Sequence, residues 1–163
     1  MSARYGLIGL GNVGGGLIAP AIAGGLHVDA YDLDASARER AAVAGAHVHD
    51  DVGALVDVVD VLVLSLPNAD VVDAVLLDGG ALDAMAPGTI CVDMSTNLPA
   101  RSLALVEEAR RRDIAMVDAP VSYGPEGLVS FVGGTDDDVE RARPWLDAVT
   151  VRAFHMGPHG HGQ

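Results

Sequence analysis

Along the 163 residues, apolar and polar positions change their spacing again and again, and each change predicts an element. The apolar run Tyr5-Gly6-Leu7-Ile8 reads as a strand, and a helical spacing follows over 13–23. A second apolar run, 26–31, stops at Asp32. Helices are predicted over 35–44 and 51–58, the second with an acidic start, with a short strand at 46–48 between them. Val61-Leu62-Val63-Leu64-Ser65-Leu66 has no alternation at all, which marks a strand covered on both faces. Pro67-Asn68 ends it, and 69–77 returns to helical spacing. A further buried strand is predicted at 89–93. A helix then opens at Pro99, with Leu103, Val106 and Ala109 on one stripe. Strands at 114–117, 128–132 and 151–154 and a helix at 136–149 complete the chain. Strands alternating with helices in this way predict an α/β fold: one doubly wound, mostly parallel sheet with right-handed crossovers, a single domain over 1–156. Such a sheet carries its ligand crevice at the C-terminal ends of its strands.

The residues expected at those ends carry the candidate chemistry. The first strand delivers Gly9-Leu10-Gly11-Asn12-Val13-Gly14. Gly9 permits a tight turn, Gly11 lets the backbone approach a pyrophosphate, and Gly14 lets helix and strand pack closely. The helix N-terminus then offers N–H groups and a partial positive charge to phosphates. Asp32, 18 positions beyond Gly14, suits a ribose hydroxyl and repels a 2′-phosphate. Arg38 is expected to face solvent, so NAD is favoured over NADP. Asp32 could instead be a turn or helix N-cap, a role that Asp34 or Ser36 fills equally well. The later strand ends deliver Leu66-Pro67-Asn68, Ser95-Thr96-Asn97 and Ala119-Pro120-Val121-Ser122-Tyr123-Gly124. A hydroxyl at Ser95 or Thr96 could meet a nicotinamide ribose or amide; helix capping by Thr96 or Asn97 is an equal alternative.

Composition narrows the class. A net charge of −13 excludes nucleic acid and anionic membrane as partners, since binding either needs clustered cations. No stretch reaches the ~18 uninterrupted apolar residues of a membrane span, and the N-terminus lacks the basic flank of a secretion signal. Cys91 is the single cysteine, flanked by Ile90 and Val92; it reads as a buried structural thiol in a reducing, cytoplasmic setting. All ten basic residues are arginine, and the chain contains no lysine. Arg110-Arg111-Arg112 reads as a solvated helix end suited to the helix dipole. His155, His159 and His161 read as a flexible, glycine-rich tail without the spacing of a metal site.

Taken in order, the glycine motif at 9–14, Leu66-Pro67, Asp93-Met94-Ser95-Thr96, Asp118-Ala119-Pro120-Val121-Ser122 and Val132-Gly133-Gly134 resemble the β-hydroxyacid dehydrogenase family. That family includes the 3-hydroxyisobutyrate and 6-phosphogluconate dehydrogenases. The resemblance implies a Rossmann NAD(P)-binding domain and oxidation of a 3-hydroxy acid, or the reverse reduction, on a small anionic substrate. It implies that Leu66, Pro67 and Thr96 line the cofactor crevice, and that Ser122, Tyr123 and Gly124 lie on the substrate's carboxylate side. Two departures stand out there. The family has Ser-Gly-Gly where this chain has Ser122-Tyr123-Gly124, and Pro125-Glu126-Gly127 replaces a longer segment, so a remodelled substrate loop is expected. Residues 157–163 resemble the start of the family's interdomain helix, which bears its catalytic lysine and leads to a helical domain. With no lysine, this chain holds no expected catalytic residue. The resemblance leaves two readings. One is the cofactor-binding half of an oxidoreductase, completed by a helical domain or chain; the other is a stand-alone dinucleotide-binding sensor or interaction module. Apolar surface near residue 163 is expected to be exposed, favouring homo-oligomers.

Overall fold

A computed structural model describes residues 3–163. Side chains of its central strands sort by a period of two into two cores, one on each face of the sheet. From β1 (Arg4–Ile8), Tyr5 and Leu7 enter one core and Ile8 the other. The remaining parallel strands are β2 (His27–Tyr31), β3 (His47–Val48), β4 (Val61–Leu64), β5 (Ile90–Asp93) and β6 (Ala115–Asp118). In β4, Val61 and Val63 face the first core and Leu62 and Leu64 the second, which is why that stretch shows no polar alternation. The six strands lie in the order β3-β2-β1-β4-β5-β6, all parallel.

Parallel neighbours require crossovers, and helices supply them. In chain order these are α1 (Gly14–Ala23), α2 (Ala35–Val43), α3 (Val52–Val56), α4 (Ala69–Asp73), α5 (Ala81–Ala84), α6 (Pro99–Arg110) and α7 (Asp136–Val149). Helices α1, α2 and α7 cover the first core; α3 to α6 cover the second. Trp145 of α7 is fully buried against β1, stacked on Tyr5 at 5.8 Å, with its indole N–H directed at the Met94 sulfur. Gly6 gives α3 its seat: a Cβ there would stand 2.5 Å from Leu55.

The architecture is the Rossmann-type α/β fold expected, with three departures. The helix predicted over 69–77 stops being α-helical at Asp73 and widens into a π-helical turn, Ala74–Asp78. The segment expected as a substrate loop is a strand, β7 (Val121–Gly124). It forms a hairpin with β8 (Gly127–Gly133), which runs antiparallel to β6 and carries β9 (Arg152–Gly157) alongside. The tail after β9 is not a loose end. Buried Asp118 accepts hydrogen bonds from the N–H groups of Gly160 (2.7 Å) and Gly162 (2.8 Å), and His159 reaches the Met116 carbonyl. Gln163 bridges to Asn97 N–H and the Ser95 carbonyl. The arginine run ends in ion pairs to Glu107, Glu108 and Asp83, in keeping with a solvated helix end.

Candidate functional site

A crevice of about 750 Å³ opens where the parallel strands end. Gly9, Gly11, Asn12, Val13, Gly14, Asp32, Leu66, Pro67, Ser95 and Thr96 all line it. Its floor is the turn between β1 and α1. Gly9 sits at φ +95°, and a Cβ there would meet the Ser65 carbonyl at 2.2 Å; a Cβ on Gly14 would meet the Gly9 carbonyl at 1.9 Å. Gly11 differs, because nothing lies within 4 Å of the position its Cβ would take. That space opens into the crevice, and it is where the sequence expects a pyrophosphate.

Helix α1 starts at this floor without a side-chain cap and without an acidic residue in its first turn. Elsewhere Asp34, Asp51, Asn68 and Thr135 cap α2, α3, α4 and α7 with their side chains. A helix leaves its first N–H groups without internal partners, and its dipole adds partial positive charge there. An uncapped helix start facing an open crevice therefore suits an anion, and these residues fit the two phosphates of a dinucleotide.

Asp32 stands at the rim just beyond β2. Its Oδ2 accepts from Leu10 N–H at 2.6 Å and its Oδ1 from Asp34 N–H at 2.8 Å. The carboxylate is thus fixed in direction while each oxygen keeps a further acceptor position. Asp34, not Asp32, is the N-cap of α2. Arg38 does not simply face solvent. Its guanidinium donates to the carbonyls of Asp32 (2.7 Å) and Leu33 (3.2 Å) and lies over the Tyr31 ring.

The opposite wall is tied together by Ser95. Its hydroxyl accepts from Leu66 N–H at 2.9 Å and its own N–H donates to buried Asp93. Ser95 therefore holds the loop after β4 to the loop after β5. Neither Thr96 nor Asn97 caps α6: the capping position belongs to Leu98, and Asn97 Oδ1 accepts from Leu98 N–H instead. Thr96 is exposed in the crevice wall. Beneath it Asp93 is fully buried, and burial pushes its carboxyl up to about 6 against the pull of its hydrogen bond from Ser95. Cys91 lies in the adjacent core, where burial pushes its thiol well up, so it is no nucleophile at neutral pH.

Four expected residues stand apart. The Leu10 side chain is buried in the core, and its N–H serves Asp32. Ser122, Tyr123 and Gly124 lie on the β7–β8 hairpin outside the crevice lining; Tyr123 is 75% exposed, and only Val121 of that strand reaches the crevice. Leu33, Val52, Val71 and Val75, none of them a candidate from the sequence, make an apolar wall beside Asp32 suited to a flat aromatic base. A signal for two of them existed. Val71 and Val75 repeat at i, i+4 beside the core pair Val72 and Leu76, so this helix is apolar on two faces.

Residues 4–157 match the family model described as the NAD binding domain of 6-phosphogluconate dehydrogenase. The chain belongs to this family. Among curated relatives, the NAD-dependent L-serine dehydrogenase of Pseudomonas aeruginosa is 36% identical over 162 residues, which covers 96% of this chain and 54% of that protein. A solved 3-hydroxyisobutyrate dehydrogenase from Mycobacterium tuberculosis, with L-serine, superposes at a TM-score of 0.93 and 30% identity. The match covers 99% of this chain and 57% of that one. An imine reductase from Myxococcus stipitatus, in complex with NADP+, shares the fold at a TM-score of 0.87 and 22% identity, over 98% of this chain and 56% of that one. The chain spans about half the length of the curated relatives it matches. It is an NAD(P)-binding domain of this family. No helix among the described residues is long and apolar enough to cross a membrane.

Proposed function

We propose that this domain binds NAD in preference to NADP and forms the cofactor half of an oxidoreductase site for a small anionic 3-hydroxy acid or the corresponding carbonyl compound. The uncapped start of α1 beneath Gly11, with Asp32 fixed at the rim, carries this reading. The pyrophosphate would lie on the first turn of α1, the adenosine ribose against Asp32, and the adenine against Val71 and Val75. The nicotinamide end would lie along Leu66, Pro67, Ser95 and Thr96. A nicotinamide dinucleotide bound there supplies the hydride acceptor or donor. The chain's own work is to hold it, orient it and keep water from one face with Leu66, Pro67 and Met94.

Preference for NAD rests on charge. A 2′-phosphate would face the Asp32 carboxylate, while Arg38, which is not part of the crevice lining, is engaged with two backbone carbonyls. Since the resemblance places the family's acid/base lysine on a helical part and this chain contains no lysine, the acid/base group and the rest of the substrate pocket are proposed to come from a helical domain or chain that joins this one. Ser122, Tyr123 and Gly124, displayed on the exposed hairpin, are proposed to meet the substrate's carboxylate once that part is in place.

Fluorescence titration with NADH and NADPH tests the reading. NADH is expected to bind in the micromolar range and NADPH at least tenfold more weakly, a difference of about 1.4 kcal/mol. Gly11→Ala is expected to keep the thermal midpoint, because its Cβ meets no protein atom, and to lose at least tenfold in NADH affinity. Equal binding of the two nucleotides would remove the role given to Asp32. Unchanged NADH binding by Gly11→Ala would remove the pyrophosphate from this turn.

A further inference from the structure

Beside the middle of β2, at the edge of the sheet, two imidazoles and a carboxylate meet at one point. Asp29 Oδ1 lies 2.7 Å from His49 Nε2 and 3.1 Å from His47 Nδ1, and the two ring nitrogens are 3.1 Å apart. Strand register explains the meeting. His47 of β3 pairs with Asp29 of β2, and residues two apart on a strand share a face, so His49 follows His47 onto the same side. Burial grades outward, from 3% exposed at the Asp29 side chain through 10% at His49 to 71% at His47. An open cavity of about 720 Å³, bordered by Arg4, Asp29 and His47, leads to the point from solvent.

We propose that Asp29, His47 and His49 form a binding site for a divalent transition ion of the zinc type, separate from the dinucleotide crevice. Two imidazole nitrogens and one carboxylate oxygen are a donor set such ions take, with a water in the fourth position. Around a tetrahedral ion with bonds of about 2.0–2.1 Å, neighbouring ligand atoms stand about 3.3 Å apart. The two His47 separations, both 3.1 Å, fall about 0.2 Å short of that, and exposed His47 has room to give; the Asp29–His49 pair at 2.7 Å falls about 0.6 Å short, so an ion must also part these two buried groups. Without an ion, each neutral ring can place its single N–H on Asp29 Oδ1, as the separations of 2.7 and 3.1 Å allow. An ion at their centre would take the place of those two protons.

Arg4 supplies the outer support. Its Nε donates to Asp29 Oδ2 at 3.1 Å and its Nη2 to Oδ1 at 2.7 Å. With an ion on Oδ1, the contact to Oδ2 continues to orient the carboxylate, as hydrogen-bonded ligand carboxylates are held in metal sites. Its positive charge opposes the ion's, while Asp60, bonded to the Arg4 N–H, offsets part of it. The ion would clamp β3 to β2, the strand that leads into Asp32, and so steady the adenosine side of the crevice.

The test uses the whole chain, freed of any affinity tag and stripped with chelator, titrated calorimetrically with Zn²⁺ alone and followed with Co²⁺ by its d–d absorption. One equivalent is expected to bind, raising the midpoint of thermal unfolding and giving a tetrahedral Co²⁺ spectrum. His47→Ala alters an exposed side chain and is expected to keep the fold while weakening Zn²⁺ at least tenfold. His49→Ala/His47→Ala is expected to abolish the site. His161→Ala, in the tail that carries the other clustered histidines, is expected to bind as the parent does. Absence of uptake by the parent overturns the proposal, as does undiminished uptake by the folded His47→Ala variant.

Discussion

Asp93 is a carboxyl whose chemistry its environment strongly alters. Its Oδ1 accepts from the Ser95 N–H, but its Oδ2 has no partner, and Asn97 Nδ2 and Ser102 Oγ are likewise buried without one. Burial therefore favours the protonated form, and the carboxyl rises from 3.8 to about 6. The sign follows from linkage. Between these values the folded chain binds the proton that the unfolded chain has lost, so stability falls as pH rises through this window. A shift of this size corresponds to about 3 kcal/mol. Asp93→Asn removes the ionisation, so urea unfolding of variant and parent is expected to diverge in the variant's favour from pH 4 to pH 7. Parallel curves would show that Asp93 finds charge stabilisation when ionised. The same strand end shows where sequence reading stops at single residues. That Ser95 would lie in the crevice was legible from its place after a buried run. Its bond to Leu66 was not, because 29 residues separate the partners and only strand order joins them. The Asp29–His47–His49 cluster escaped for the same reason: a spacing in sequence does not say which strands become neighbours.

Among the elements, those with a strong period were legible and those made by tertiary contact were not. The apolar stripe of α7 predicted its bounds, and the unbroken run at β4 predicted a strand with two covered faces. Strand β7 gave little sign of itself. Ser122, Tyr123 and Gly124 have one apolar member among polar or small ones, and the segment is extended because β8 pairs with it. The tail was misread for a related reason. Glycines at 157, 160 and 162 looked like freedom, yet they are close approaches: a Cβ at Gly162 would stand 2.8 Å from Asp118, and one at Gly133 2.6 Å from the same carboxylate. Asp118 thus clips the tail to the end of β6. Asp118→Ala leaves two buried N–H groups without acceptors, each costing about 1–3 kcal/mol. The variant is expected to lose roughly 2–4 kcal/mol of stability, with amide exchange at Gly160 and Gly162 becoming fast while the β1 and β4 amides stay protected. Slow exchange at those two glycines in the variant would mean that His159 and Gln163 suffice to hold the tail.

For the whole molecule, two long-range features oppose each other. The chain carries a net charge of −13, which keeps copies apart at low salt. Against this, Leu98 and Leu103 on α6 and Phe131, Phe154 and Met156 on β8 and β9 are all more than a third exposed, on either side of the clipped tail. Gly160 of that tail lies beside Leu103 and Gly162 beside the Phe131 backbone, which sets the tail between α6 and β8. Phe131 and Phe154 also stack on each other at 5.7 Å, which presents them as one flat plate. Apolar surface of this kind favours association at roughly 25 cal/mol per Å² removed from water, a term that salt does not weaken. Charge repulsion between copies is weakened, because the screening length falls from about 30 Å at 0.01 M to about 8 Å at 0.15 M. Association should therefore grow with ionic strength. Sedimentation velocity is expected to give a 16.7 kDa species in 10 mM salt and a rising share of dimer in 300 mM salt at equal protein concentration. Phe154→Ser with Leu98→Ser is expected to keep the chain monomeric at both. Should dimer instead decline with salt, the contact would be electrostatic, and the apolar plate would not be the surface that copies share.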